Sequence, residues 1–206
     1  MFLTAFTAAL LLITVSELGD KTFFIAVILS MRYPRRWVFI GVVAALAAMT
    51  LLSVLMGQVF SFLPKIYVFY GEIGLFLIFG TKLLIDAWKM SDHAEEAVME
   101  EAKEAIESSE KNLQRHPKQW GIILESFILT FIAEWGDRTQ IATIALAASN
   151  SMLAVTTGAI LGHTICALIA VIGGKMIAGR ISERQITVIG GLLFYVFAVV
   201  AFMEGP

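Results

Sequence analysis

Apolar residues along this chain of 206 residues gather into six long runs, which short polar stretches and one long charged segment separate. Each run is long enough to cross a hydrocarbon core of roughly 30 Å, which takes about 20 helical residues. The pattern therefore predicts an all-α polytopic membrane protein with six transmembrane helices. We place the spans at residues 2–30, 37–62, 66–88, 119–148, 152–174 and 185–204.

Spans one and four are too long to be straight helices across a membrane. They comprise 29 and 30 residues by this placement, and at 1.5 Å per residue each would extend about 45 Å. A span of that length must tilt strongly or break. Gly19 and Gly136 are the expected break points, because each lies near the middle of its span.

The composition agrees with a membrane protein. Hydrophobic residues make up 58% of the chain and charged residues 16%, which is outside the range of ordinary soluble domains. Eight of the seventeen acidic residues lie between Asp92 and Glu110, so the net charge of -2 reflects one segment and gives no sign of a nucleic-acid partner. Cys166 is the only cysteine, which excludes an internal disulfide.

The connections between spans predict an orientation. Cations gather at the first, third and fifth connections, so the positive-inside rule puts the charged linker at residues 90–117 in the cytoplasm and both termini on the opposite side. The linker reads as a polar helix that ends at His116-Pro117 and forms a solvated bridge. A metal-collecting or regulatory role for its acidic residues is the alternative.

An internal repeat runs through the whole chain. A shift of 117 residues aligns Gly41 with Gly158 and Gly74 with Gly191, without an insertion. The chain is therefore predicted to be two three-helix repeats, residues 1–89 and 118–206, joined by the linker. Because three is odd, the second copy enters the membrane from the opposite side, which gives an inverted repeat.

Each half carries a charged motif in the middle of its first span. The two motifs are Glu17-Leu18-Gly19-Asp20-Lys21-Thr22 and Glu134-Trp135-Gly136-Asp137-Arg138-Thr139. Charged residues at this depth are costly, so they predict a working site that faces the protein interior. On a continuous helix, residues three apart share a face, so the two acids of each motif are expected to project together.

The motif chemistry predicts a cation site. Four carboxylates, the hydroxyls of Thr22 and Thr139 and any carbonyls freed at the breaks are the ligands that hard divalent cations prefer. Carboxylates at close range repel one another, so some should retain protons until a metal ion displaces them. Gln140 is a further candidate ligand on one side only, because Phe23 occupies its place in the first half.

The cation of each motif has two interpretations. Lys21 and Arg138 each follow the motif's glutamate by four residues. In one interpretation they are gates: Lys21 pairs with a site carboxylate when the cytoplasmic path is shut, and Arg138 does so when the outer path is shut. In the other they balance charge, as i,i+4 pairs with Glu17 and Glu134.

Three other polar residues lie within the spans. His163 is near the middle of span five, where its repeat partner is Leu46. It is a candidate proton relay or additional ligand, although a hydrogen-bonded packing role is the simpler interpretation. Glu72 and Glu125 are nearer the span ends and are expected at the membrane interface.

The paired motifs resemble the E-x-G-D-[KR]-[ST] signature of the calcium/cation antiporter-2 family. That family includes bacterial manganese exporters, manganese transporters of photosynthetic membranes and Golgi manganese/calcium exchangers. The resemblance covers the whole chain and implies a transporter, not an enzyme, that exports Mn²⁺ chiefly and Ca²⁺ as an alternative, driven by protons. The metal would be a transported substrate rather than a cofactor. The implied ion-binding acids are Glu17, Asp20, Glu134 and Asp137.

Two other function classes compete with an exchanger. An intramembrane enzyme with catalytic metals would need its site near the lipid headgroups, whereas both motifs lie at mid-depth. A cation channel is compatible with the repeat but less so with buried acids that compete for protons. The expected partners are therefore a divalent cation, protons and the lipid bilayer, and the sequence leaves the oligomeric state open.

Overall fold

The computed structural model describes residues 2–90, 94–110, 119–177 and 182–205. Within these ranges all regular structure is α-helical, which confirms the predicted all-α class. The helices are α1 Phe2–Glu17, α2 Lys21–Arg32, α3 Arg35–Phe60, α4 Lys65–Lys89, α5 Ala94–Glu110, α6 Gln119–Ala133, α7 Arg138–Ser149, α8 Met152–Ile177 and α9 Glu183–Glu204.

Four or five membrane spans can be recognised in the described residues, against six predicted. Helices α3, α4, α8 and α9 are each long and apolar enough to cross a bilayer. Helices α1 and α2, which are bent by 65° at their break, make a fifth span if the pair crosses the membrane as one unit. The predicted fourth span is also divided, and α6 with 15 residues extends only about 22 Å. Neither α6 nor α7 alone is therefore long enough to cross the membrane.

The breaks lie at the two predicted glycines. Gly19 and Gly136 have φ angles of 81° and 82°, in the left-handed region that only glycine adopts without strain. Asp20 and Asp137 follow them and cap α2 and α7, each accepting a hydrogen bond from the first turn of its helix. The two acids of a motif thus belong to different helices, and the prediction that they share one helix face is wrong.

Close helix packing at a glycine joins the two sequence repeats in two equivalent places. A Cβ atom on Gly41 of α3 would lie 2.7 Å from Cβ of Ser126 in α6. One on Gly158 of α8 would lie 3.1 Å from Cβ of Ala9 in α1. Both glycines and both of their partners are 117 residues apart. The span that carries each motif is therefore held against a helix of the other half.

Helix α5 corrects the expectation of a solvated linker. Ala102 and Ile106 are completely buried, and they cluster with residues of α2 and with Ile122 at the start of α6. One face of α5 therefore packs on the bundle, while its acidic face stays in solvent. The predicted linker end at His116-Pro117 lies outside the described residues.

Two cavities of different size lie toward opposite ends of α4 and α9. The larger, of about 450 Å³, lies where Thr4, Lys65, Asn150 and Glu204 come together. We call this the terminus side. The smaller, of about 40 Å³, is bordered by Met90 and other residues from the opposite ends of α4 and α9. We call this the linker side.

Candidate cation site

The two broken spans bring three of the four predicted acids together. Glu17, Glu134 and Asp137 each offer a carboxylate oxygen within 4.8 Å of the others. Glu17 and Glu134 are only 2% exposed. Because Glu17 ends α1 while Asp137 caps α7, the group exists only where the two halves meet.

The predicted threonines orient the two glutamates. Thr22 donates from Oγ1 to Oε2 of Glu17 at 3.1 Å, and Thr139 donates to Oε2 of Glu134 at 3.4 Å. Each hydroxyl lies in the first turn of the half-helix that follows the break. The two motifs therefore share one internal geometry, in which a hydroxyl after the break fixes the glutamate before it.

Asp20 does not join the other three acids. Its Oδ2 accepts a hydrogen bond at 2.8 Å from the Arg138 guanidinium, which forms an ion pair between the two halves. Its Oδ1 accepts from the Lys21 backbone N–H at 2.7 Å. The expected four-acid cluster is therefore three carboxylates beside one ion pair.

Arg138 pairs with one of the predicted site acids, as the gate interpretation expected, whereas Lys21 pairs with an acid that the sequence did not indicate. Arg138 pairs with Asp20, and Lys21 pairs through Nζ with Oε1 of Glu101 in α5 at 2.7 Å. Lys21 and Arg138 therefore do not form the i,i+4 ion pairs with Glu17 and Glu134 that the charge-balance interpretation expected. Arg138 also lines the linker-side cavity, whereas the gate interpretation put it on the outer side. No spacing in the sequence relates Glu101 or Asp20 to these cations, because both pairs join distant segments.

Gln140 supports the second break. Its Oε1 accepts a hydrogen bond from the Gly136 N–H at 2.7 Å, and its Nε2 lies 3.0 Å from Sδ of Met49. The amide oxygen that was expected to bind metal is thus engaged by the backbone. This contact holds the left-handed turn in the half that carries Gln140, and Phe23 cannot make it in the other half.

His163 lies against the site. The side chain is 5% exposed, and Nδ1 is 3.7 Å from Oε1 of Glu17. Close packing of α8 on α1, through glycines such as Gly158, brings the imidazole to this position. The sequence predicted that His163 lies near the middle of its span. The structure shows in addition that it faces Glu17.

Glu72 and Glu125 are buried inside the protein, while their expected depth near the membrane interface stays a prediction. They are 5% and 3% exposed. Glu72 lines the terminus-side cavity, where Nδ2 of Asn150 is 3.5 Å from its Oε1. The position of a residue along a span predicts its depth in the membrane but not whether its side chain points to the protein interior or to lipid. The inward orientation of these acids could therefore not be predicted.

The donor set fits a hard divalent cation. Three carboxylate oxygens lie within 4.8 Å of one another, and a threonine hydroxyl lies beside each glutamate. The C-terminal end of α1 adds the negative end of a helix dipole. Among the described residues, no other group of three or more acidic, histidine or cysteine side chains has this geometry. Acids from both halves of the bundle therefore give this group the chemistry of a candidate cation site.

Comparison with known proteins agrees with this chemistry. The sequence model of the family described as divalent cation/proton antiporter GDT1 matches residues 5–91 and 122–206. The chain belongs to the GDT1 family. This confirms the family resemblance and places the protein in a family of divalent cation/proton antiporters.

Relatives in the GDT1 family cover nearly the whole chain. It is 70% identical over 200 residues to GDT1-like protein sll0615 of Synechocystis sp. (strain ATCC 27184 / PCC 6803 / Kazusa), with 97% of each chain covered. It is 43% identical over 208 residues to GDT1-like protein 3 of Oryza sativa subsp. indica, covering 98% of this chain and 75% of the relative. It is 41% identical over 214 residues to Protein PAM71-homolog, chloroplastic, of Arabidopsis thaliana, covering 97% and 59%. No solved structure gives a significant match.

Proposed function

We propose that this protein is a secondary transporter that exports a divalent cation, Mn²⁺ first and Ca²⁺ second, in exchange for protons. The observation that carries the proposal is the meeting of Glu17, Glu134 and Asp137 within 4.8 Å, in a chain that belongs to a family of divalent cation/proton antiporters. Thr22 and Thr139 lie beside the glutamates and complete the oxygen set.

Charge repulsion supplies the exchange. Three carboxylates this close in a dry interior cannot all stay ionised without a counter-charge. The empty carrier therefore keeps protons on the site, and an arriving divalent cation displaces them. Because the same oxygens hold either protons or the metal, one cannot enter without the other leaving.

Asp20 is the fourth acid of the proposed site, and the repeat suggests how it takes part. The repeat counterpart of the Arg138–Asp20 pair is a pair between Lys21 and Asp137. In the opposite-facing state we expect Lys21 to pair with Asp137, while Arg138 releases Asp20 to the cation. Each state would then present three carboxylates, two glutamates and one aspartate.

Six crossings in two inverted repeats fit the placement of the divided span. Helix α6 begins beside α5, since Ile122 clusters with Ala102. Helix α7 ends at Asn150, which borders the terminus-side cavity. Together α6 and α7 would therefore cross the membrane from the linker side to the terminus side, as α1 and α2 do in the other direction. The cation-rich connections put the linker side in the cytoplasm.

The two cavities do not form an open channel. An open channel would need one continuous cavity through the group of three acids. Neither the terminus-side cavity of about 450 Å³ nor the linker-side cavity of about 40 Å³ has Glu17, Glu134 or Asp137 in its lining.

Transport into proteoliposomes tests the proposal. Glu17→Gln, Glu134→Gln and Asp137→Asn should each abolish Mn²⁺ uptake driven by an imposed pH gradient, because each removes a charged ligand that also binds a proton. The matched control is Glu107→Gln, which changes an exposed acid of α5 and should transport normally. Gel filtration establishes that each variant is folded. Near wild-type uptake in two of the three site variants would overturn the shared carboxylate site.

Proton coupling needs its own measurement. In vesicles that contain a pH-sensitive dye, Mn²⁺ entry through the wild-type protein should release protons to the opposite compartment, and Asp137→Asn should not. Mn²⁺ flux with no accompanying proton flux would leave a cation carrier but exclude the exchange.

A further inference from the structure

We propose that His163 is a nitrogen ligand of the transported cation and makes the site select Mn²⁺ over Ca²⁺. This inference rests on the proposed function, because it concerns the same site. Its first support is position. The imidazole is 5% exposed, and its Nδ1 is 3.7 Å from Oε1 of Glu17, so it faces a carboxylate of the site from α8.

The second support is a pair of unsatisfied atoms. Among the described residues, Oε1 of Glu17 and Nδ1 of His163 are both buried without a hydrogen-bond partner. Glu17 is oriented through its other oxygen, which accepts from Thr22. Buried polar atoms that lack partners are rare in folded proteins and are destabilising. A cation bound by both atoms would satisfy both of them.

The separation is close to that of two ligands on one ion. In an octahedral site with bonds of about 2.1 Å, neighbouring ligand atoms lie about 3 Å apart. A movement of less than about 1 Å would bring Nδ1 of His163 and Oε1 of Glu17 to that distance.

A nitrogen ligand discriminates between the two candidate cations. Ca²⁺ is bound by oxygen ligands in proteins, whereas imidazole suits first-row transition metals. His163 has Leu46 as its repeat counterpart, so only the second half can supply nitrogen. The selectivity for Mn²⁺ would therefore come from a single residue, while the acids provide affinity for either ion.

A packing role makes a different prediction. A histidine that only fills space between α8 and α1 would affect Mn²⁺ and Ca²⁺ equally when it is replaced, and it would leave no trace in the spectrum of bound Mn²⁺. Selectivity and direct spectroscopic detection therefore separate the two roles.

Pulsed electron paramagnetic resonance on the purified full-length protein loaded with Mn²⁺ is the test. Nitrogen modulation of the bound Mn²⁺ signal is expected in the wild type and should disappear in His163→Leu, which copies the repeat counterpart. The matched control is the double variant His93→Gln/His116→Gln, which keeps His163 as the sole histidine of the sequence and should retain the modulation. His163→Gln provides a second variant, because its amide can fill the polar position should leucine prevent folding.

Competition between the ions completes the test. In His163→Leu and His163→Gln the preference for Mn²⁺ over Ca²⁺ should fall by about tenfold or more, on the scale of ligand-sphere changes. Bound Mn²⁺ without nitrogen modulation in the wild type, or an equal loss for both ions in the variants, would overturn the inference and leave the exchange proposal standing. Nitrogen modulation together with metal flux that is not coupled to protons would support the histidine ligand and overturn the exchange proposal. Wild-type protein that binds no Mn²⁺ would refute both.

Discussion

The ion pair between Arg138 and Asp20 is expected to hold the linker side shut, so Arg138→Gln should open it. The pair joins the first turn of α7 to the break of the first half, with 2.8 Å between nitrogen and oxygen. Arg138 and Asp20 both line the small linker-side cavity, together with Leu83 of α4. Removing the guanidinium leaves Asp20 free to join the other carboxylates, which is the arrangement proposed for the opposite-facing state.

The size of the effect follows from the exposure of the pair. The two side chains are 34% and 27% exposed, so the pair lies between the buried and surface classes. Breaking a fully buried pair costs about 3–5 kcal/mol, and an exposed one contributes about 0–1 kcal/mol. We therefore expect a bias of about 1–3 kcal/mol between the two facing states. That corresponds to a change of roughly 5–150-fold in their ratio.

Cysteine accessibility measures this ratio. On a Cys166→Ser background, Leu83→Cys reports the linker-side cavity and Val68→Cys the terminus-side cavity. In Arg138→Gln, a water-soluble maleimide should label position 83 faster and position 68 more slowly than in the parent. The matched control is Lys103→Gln, which breaks an exposed pair with Glu100 on α5 and should change neither rate.

Lys21→Gln distinguishes a gate from simple charge balance. In the described state Lys21 pairs with Glu101, which is 61% exposed, so this loss should cost at most about 1 kcal/mol. In the opposite-facing state the proposed partner is Asp137, so that state should lose more stability. The labelling rates should therefore shift in the direction opposite to Arg138→Gln. Identical shifts in both variants, or no shift in Arg138→Gln, would refute paired gates.

Two further predictions concern the architecture. Gly158→Ala and Gly41→Ala should each destabilise the folded protein by about 1–3 kcal/mol, because the added Cβ atoms would lie 3.1 Å and 2.7 Å from Cβ atoms of the other half. Thermal unfolding in detergent checks this, with Gly74→Ala as the control since nothing lies within 4 Å of its Cβ position; equal stability of all three would contradict the close packing. For the topology, single cysteines at positions 100 and 150 on the Cys166→Ser background should be labelled from opposite sides of the membrane. Labelling of both from the same side would exclude the inverted repeat.

Much of the fold follows from the hydrophobic pattern and from glycine. The four unbroken spans end within a few residues of their predicted limits, because their apolar runs have polar boundaries. The breaks at Gly19 and Gly136 could be predicted because a span of about 45 Å exceeds the bilayer and glycine is the residue that tolerates a left-handed turn. The recognisable span count falls short of six because the second break leaves α6 with 15 residues.

The arrangement inside the site could be predicted only in part. Sequence spacing put two acids in each motif but assumed a continuous helix, whereas Asp20 and Asp137 cap new helices. The pairing of Arg138 with Asp20 and of Lys21 with Glu101 depends on contacts between segments that are far apart in the chain. The burial of α5 was missed because its apolar face is narrow and its composition is strongly acidic.

Under the proposed exchange, the unequal engagement of the two aspartates gives each motif's cation a role beside its two acids. A substrate that bound one facing state much more tightly would shift the carrier toward that state and be released slowly from it. In the described state Arg138 withdraws Asp20 and leaves Asp137 in the group. If Lys21 withdraws Asp137 when Asp20 is released, the site keeps the same number of carboxylates in both states. A motif without its cation would present four acids at once and would hold the cation or its protons too tightly to turn over. On this proposal the duplicated cation would be as much a part of the exchange as the acids proposed to bind the metal.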